Sequence, residues 1–251
     1  MKRPKKEKGS IRLDAVPMLP NRIWNEIGSY SGQQWALPKN RTPLEALIGV
    51  AETNNLYSIA NSAQQNIHLR SLLLDKLKDP EESVRNAAIQ WVVSDWGGII
   101  SDSDKHKSWG EELKTYSEME VAAFIDKYYS DRVASWSKVL AFADYQNHAI
   151  YDARVAMSLN VILDKVGYKD RFYMFSTRID KFNEIFSHMK GYVGNQYAGK
   201  LPFYMGYNEY ILLLKGMVAE GFAKDILDVE MRLFASAGTL ADEYNQKYGV
   251  V

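Results

Sequence analysis

The chain has 251 residues, 46% of them apolar, enough for one large domain or two small ones with a real core. Its 31 basic residues balance 31 acidic ones, which argues against a protein that grips nucleic acid by bulk charge alone. There is no cysteine, so disulfides, iron–sulfur clusters and cysteine-bound zinc are excluded; this suits a reducing compartment, and a cytoplasmic location is expected.

The first residues, MKRPKKEK, are basic but lack the apolar stretch of a secretory signal. They are expected to form a flexible arm over residues 1–15, either solvated or touching phosphates, ahead of a helical domain over 16–251. Thr42-Pro43-Leu44-Glu45 carries a cap residue, a first-turn proline and a glutamate at the third helical position. Asp79-Pro80 repeats the cap-then-proline pattern, and Val84, Ala87, Ala88, Trp91 and Val92 then fall on one face. The periodicity breaks over 95–110, in WGGIISDSDKHKSWG, where a boundary between two helical lobes is expected.

Ser117-Glu118-Met119-Glu120 is a capping box that opens a helix with Val121, Phe124, Ile125 and Tyr128 on one side. Val133, Trp136, Ser137 and Leu140 repeat that spacing, and Val155, Leu159 and Ile162 resume it beyond Asp152. Further apolar faces run through Phe175, Ile179, Phe182 and Phe186, then Tyr207, Ile211, Leu214 and Val218, then Ile226, Val229 and Leu233. The stretch from Lys190 to Gly206 reads as a loop. No segment alternates like a strand, none reaches the roughly 20 apolar residues of a membrane span, and the four histidines lack metal-ligand spacing. The expected fold is all-α, with no metal, no cofactor and no membrane association.

Two residues carry chemistry that the pattern alone leaves open. Asp152 stands where a helix begins, and aspartate is among the best N-cap residues, so capping accounts for it. It is also a fixed negative charge, useful wherever a reaction builds positive charge. Lys138 lies off the Val133–Trp136–Leu140 face, and such a lysine ordinarily points into solvent. A catalytic lysine would need burial to bring its pKa down from about 10.4.

The two residues sit in a wider pattern. SWSKVLA (Ser135 to Ala141) and AIYDARVA (Ala149 to Ala156) together resemble the catalytic segment of the helix-hairpin-helix DNA glycosylase superfamily. They most resemble its bacterial 8-oxoguanine DNA glycosylase-like branch. WGGI (Trp96 to Ile99) resembles an upstream element of that branch, and VEMRLFA (Val229 to Ala235) resembles its late helix. The likeness runs from about Asp95 onward and is most specific at the central motif.

The resemblance implies a two-lobed helical domain with a cleft between the lobes, acting on double-stranded DNA that contains a modified base. It places Asp152 at the catalytic aspartate and Lys138 at the amine nucleophile of members that also nick the strand. Arg154 falls where many members have a histidine. Trp96, Gly97, Tyr151 and Arg154 are the implied base-pocket residues, Trp96 being favoured by the two glycines beside it. The family's G-x-G hairpin is missing from Tyr129 to Ala134, and the separation of 14 positions from Lys138 to Asp152 is shorter than in better-known branches. Arg132, Ser135 and Ser137 are expected to replace the hairpin's phosphate contacts. The base could be an oxidised purine or a heavily modified phage base removed in antiviral defence. The alternative in another class is a helical DNA-binding or scaffold module without catalysis.

Overall fold

A computed structural model of the chain describes residues 19–30, 37–99, 103–129, 131–196 and 204–250; the basic N-terminal arm lies outside them. Among these residues the protein is predominantly helical, and no helix is long and apolar enough to cross a membrane. The first half carries α1 (Leu19–Ile27), α2 (Thr42–Ile48), α3 (Val50–Ser58), α4 (Ser62–Leu77) and α5 (Glu82–Gln90). A π-helical turn (Trp91–Trp96) and α6 (Ser103–Glu112) follow. Then come α7 (Glu118–Tyr128), α8 (Val133–Ala143), α9 (Ala153–Lys165) and α10 (Asp180–Gln196), with α11 (Tyr207–Ala219) and α12 (Ile226–Tyr248) last.

Short side chains start several of these helices. Asn61, Ser117, Asp152 and Asp225 each accept a hydrogen bond from a backbone N–H of the first turn, which satisfies donors that have no partner inside the helix. The expected capping box at Ser117 is half realised: Ser117 caps Glu120, but the Glu120 carboxylate reaches the Thr115 N–H instead. Thr42 lies inside its helix rather than capping it, and Asp79-Pro80 forms a turn before α5.

Three expectations from the pattern change. On α5, Ala87 is exposed and Arg85 is buried, because the Arg85 guanidinium donates to the carbonyls of Asp79, Pro80 and Gly110. The proposed loop after Lys190 begins as helix, since α10 runs on to Gln196. Two short strands, β1 (Arg171–Phe172) and β2 (Tyr204–Met205), pair in parallel where no strand was expected. At two residues each, they are too short to show alternation.

The core is one connected cluster that runs from Leu19 to Tyr244 and takes residues from both sides of 95–110. α9 lies along α12, and α8 packs against α4 and the π turn. α8 is therefore interior all round: every residue from Val133 to Ala143 except Ala134 is buried.

Candidate active site at the start of helix α9

The immersion of α8 decides the state of Lys138. The helix has no solvated face, so the lysine is only 4% exposed, and the expectation of a solvated side chain is corrected. Its ammonium donates to the Ala134 carbonyl one turn back (2.8 Å) and lies 3.8 Å from an oxygen of Asp152. At that separation the pair is held by charge rather than by a hydrogen bond. Burial pulls the Lys138 pKa below the ordinary lysine value, while the charges of Asp152 and Glu230 pull it back up.

The lysine stem has a close neighbour. Backbone N–H groups at Gly97 and Ile99 reach back to the carbonyls of Val92 (3.1 Å) and Val93 (3.1 Å), wider steps than an α-helix makes. This π turn sets Gly97 against α8. A Cβ at position 97 would lie 2.8 Å from the Lys138 Cδ, and 2.6 Å and 2.9 Å from the carbonyl oxygens of Val93 and Val92. Only glycine fits there.

Asp152 caps α9. One carboxylate oxygen accepts from the N–H groups of Arg154 (3.0 Å) and Val155 (3.2 Å), which leaves the other turned to Lys138. The side chain is 19% exposed, so the pair is reached from the aspartate's side. Sequence spacing alone brings these two residues no closer than 14 positions; the bend between α8 and α9 brings them together.

That bend is tied on every side. The Ser137 hydroxyl accepts from the Tyr151 N–H (3.0 Å), Tyr207 donates to the Ala149 carbonyl (3.0 Å), and Tyr210 donates to the Ile150 carbonyl (3.0 Å). Glu230 accepts from the Ile150 N–H at 2.7 Å. The Tyr151 hydroxyl donates to the Tyr173 carbonyl (2.6 Å), its ring lies near Phe175, and Arg178 donates to the Gly98 carbonyl. The non-helical segment from Tyr173 to Arg178 therefore links Tyr151 to Gly98 of the WGGI stretch.

The remaining expected site residues divide. Trp96 is half-buried, with its ring edge-on to Phe142 (4.9 Å), and stands one residue from Gly97. Arg154 is half-buried over the Phe234 ring. Tyr151 is buried, with its hydroxyl engaged, and is one wall of a small cleft whose other walls include Tyr129, Val133, Gly206 and Tyr207. Neither Lys138 nor Asp152 lines that cleft. Ser137 is fully buried and spent on Tyr151, so it is corrected from a phosphate contact to an internal tie. Ser135 is also buried, whereas Arg132 is half-exposed.

The turn before α8 has a feature the sequence hid. Tyr129 (φ 47°) and Arg132 (φ 56°) both adopt positive φ without being glycine. Each such residue costs on the order of 1–3 kcal/mol. The Trp136 indole N–H, donating to the Asp131 carbonyl (2.8 Å), helps hold this shape.

Residue patterns gave no sign of Arg70, which joins Glu230 in the buried network behind the bend. The signal for Glu230 was present: a carboxylate sits within the apolar run of VEMRLFA and had to be either exposed or paired. No family model matches the chain, and no curated protein or solved structure does either.

Proposed function

We propose that the chain is a DNA N-glycosylase of the helix-hairpin-helix type, which extrudes a damaged or modified base from double-stranded DNA and breaks its glycosidic bond. In this reading the helices form two lobes, with the Lys138–Asp152 pair facing the cleft between them. One observation carries the proposal: a buried lysine ammonium lies 3.8 Å from a carboxylate that caps a helix, the whole on a bend fixed from several sides. An ordinary surface ion pair has no need of such a frame.

The chemistry follows from the charges. As the bond between C1′ and the base breaks, its electron pair leaves with the base, which takes up a proton, and the sugar becomes positive. A carboxylate about 4 Å away, at an effective dielectric of about 20, offsets that charge by on the order of 4 kcal/mol, roughly a thousandfold in rate. Asp152 is that carboxylate. Water then adds to C1′ and leaves an abasic site. Where the neutral Lys138 amine adds instead, it loses its proton, the sugar ring opens and an imine forms, from which the strand can be cut by β-elimination. Burial that lowers the amine's pKa supports this second route. Gly97 borders the lysine stem, and in this reading it and the adjacent Trp96 meet the extruded base.

The test is a panel of duplexes bearing oxidised, deaminated, alkylated or glucosylated bases, scored for abasic sites. At least one duplex should yield them with the wild type and not with Asp152→Asn. No product from any duplex would reject the reading.

A further inference from the structure

We propose that Arg70 and Glu230, far apart in sequence and closed off from solvent, are positioning residues that set the separation of Lys138 and Asp152. This inference rests on the glycosylase reading only for its consequence in catalysis; the placement itself is a property of the fold.

Both side chains are fully buried. One Glu230 oxygen receives the Arg70 guanidinium at 2.7 Å, and the other receives the Ile150 N–H at 2.7 Å. The same guanidinium donates to the Asn66 side chain (2.7 Å) and to the Ala141 carbonyl (3.1 Å), and it lies over the Phe142 ring. Ala141 stands three residues after Lys138 on α8, and Ile150 two residues before Asp152. A single ion pair therefore grips the end of the lysine's helix with one hand and the entry to the aspartate's helix with the other. Tyr210 holds the carbonyl of Ile150, so that residue is fixed at both its N–H and its C=O.

Stability alone does not call for this arrangement. A buried ion pair gives up so much hydration that apolar residues of similar size often serve as well or better. Its bonds are directional, however, and directional bonds hold a geometry that apolar packing leaves free to slide. The groups that bear on the ammonium agree with this. The acidic charges acting on Lys138 are Asp152 at the start of α9 and Glu230 on α12, with Arg70 on α4 behind the latter. The π turn brings Gly97 against the lysine stem, while its own acid, Asp95, is exposed.

Three measurements decide the matter. First, amide hydrogen exchange on the wild type should find the Ile150 N–H as protected as the interior of α8; exchange as fast as the exposed Asn147 turn would overturn the proposal. Second, the pH midpoint of Lys138 acetylation by dilute acetic anhydride, read by peptide mass spectrometry, needs no DNA. In the double variant Arg70→Met/Glu230→Leu, which leaves no lone buried charge, water should reach the ammonium and the midpoint should rise. In Glu230→Gln, which loses a nearby negative charge but keeps an acceptor for Ile150, it should fall. A wild-type midpoint in either variant, folded by its melting curve, would overturn the proposal. Third, borohydride capture on a duplex with an aldehydic abasic site should slow by about a hundredfold in the double variant, while affinity for the same duplex with a tetrahydrofuran site is unchanged. A wild type that gives no adduct removes the lysine route, leaves hydrolysis by water to the glycosylase reading, and leaves the first two measurements to judge the positioning role.

Discussion

Gly97 touches the stem of Lys138 so closely that a single added carbon would lie 2.8 Å from the lysine Cδ. Gly97→Ala must therefore push the lysine, the π turn or both. Overpacking of this kind costs about 1–3 kcal/mol. Urea melts should find a loss of that size, and borohydride capture of Lys138 on an abasic duplex should fall with it. A variant with wild-type stability and capture would show that the contact is slack.

Asp152→Asn separates the two roles of that residue. Asparagine caps helices about as well as aspartate, so the cap is kept, but the buried Lys138 loses its counter-charge and the melting temperature should fall. Base removal should fall by roughly a thousandfold, because the fixed charge is gone. Asp152→Ala should lose the cap as well, at about 1 kcal/mol. Equal activity in wild type and Asp152→Asn, measured as abasic sites formed, would remove the aspartate from the chemistry.

Lys138 gives a pH signature. Its pKa in the folded protein lies below the ordinary value of 10.5, with burial as the main cause. The amine is then free at lower pH than an ordinary lysine, so adduct formation on abasic DNA should rise with pH and level off below 10.5. The same shift acts on stability. Between the folded and unfolded pKa values the unfolded chain binds more protons, so stability climbs with pH across that window. Lys138→Met should abolish both the adduct and this part of the pH dependence. A capture profile centred at 10.5 or above would contradict the burial of the amine.

His148 makes the matching prediction on the acid side. Burial lowers its pKa below 6.5, against the pull of Asp144. The unfolded chain therefore takes up a proton that the folded one resists, and stability should fall as pH drops below 6.5. Urea midpoints in mildly acidic and neutral buffer, compared with those of His148→Phe, measure it. An equal pH response in the variant would assign the loss to other groups.

Trp96→Ala tests the pocket. The ring meets Phe142 edge-on at 4.9 Å, a pairing of about 0.5–1.5 kcal/mol, so a modest loss of stability is expected. Flipping of a fluorescent base in duplex DNA should weaken further than that loss accounts for. Unchanged flipping would leave Trp96 as packing only.

Local chemistry was legible in the sequence, and long-range chemistry was not. The caps at Ser117 and Asp152 need only a few consecutive residues, and both side chains cap first-turn N–H groups. The burial of Lys138 was hidden because an amphipathic reading assumes that a helix has a wet side, and α8 has none. Gly97 could be marked as a place of close approach, but its neighbour proved to be a lysine stem, brought there by a π turn that periodicity does not encode. Arg70 and Glu230 lie 160 positions apart, and no spacing rule joins residues at that range.

The last ties on the bend are also the last to be made. Tyr210 and Glu230 belong to α11 and α12, the final helices described. During translation the ribosome releases Lys138 and Asp152 well before either tie exists. A chain that stops short of residue 210 thus lacks both ties on Ile150. The ties on Ile150 are complete only once residue 230 has emerged, so the bend that carries Lys138 and Asp152 depends on the last helix described.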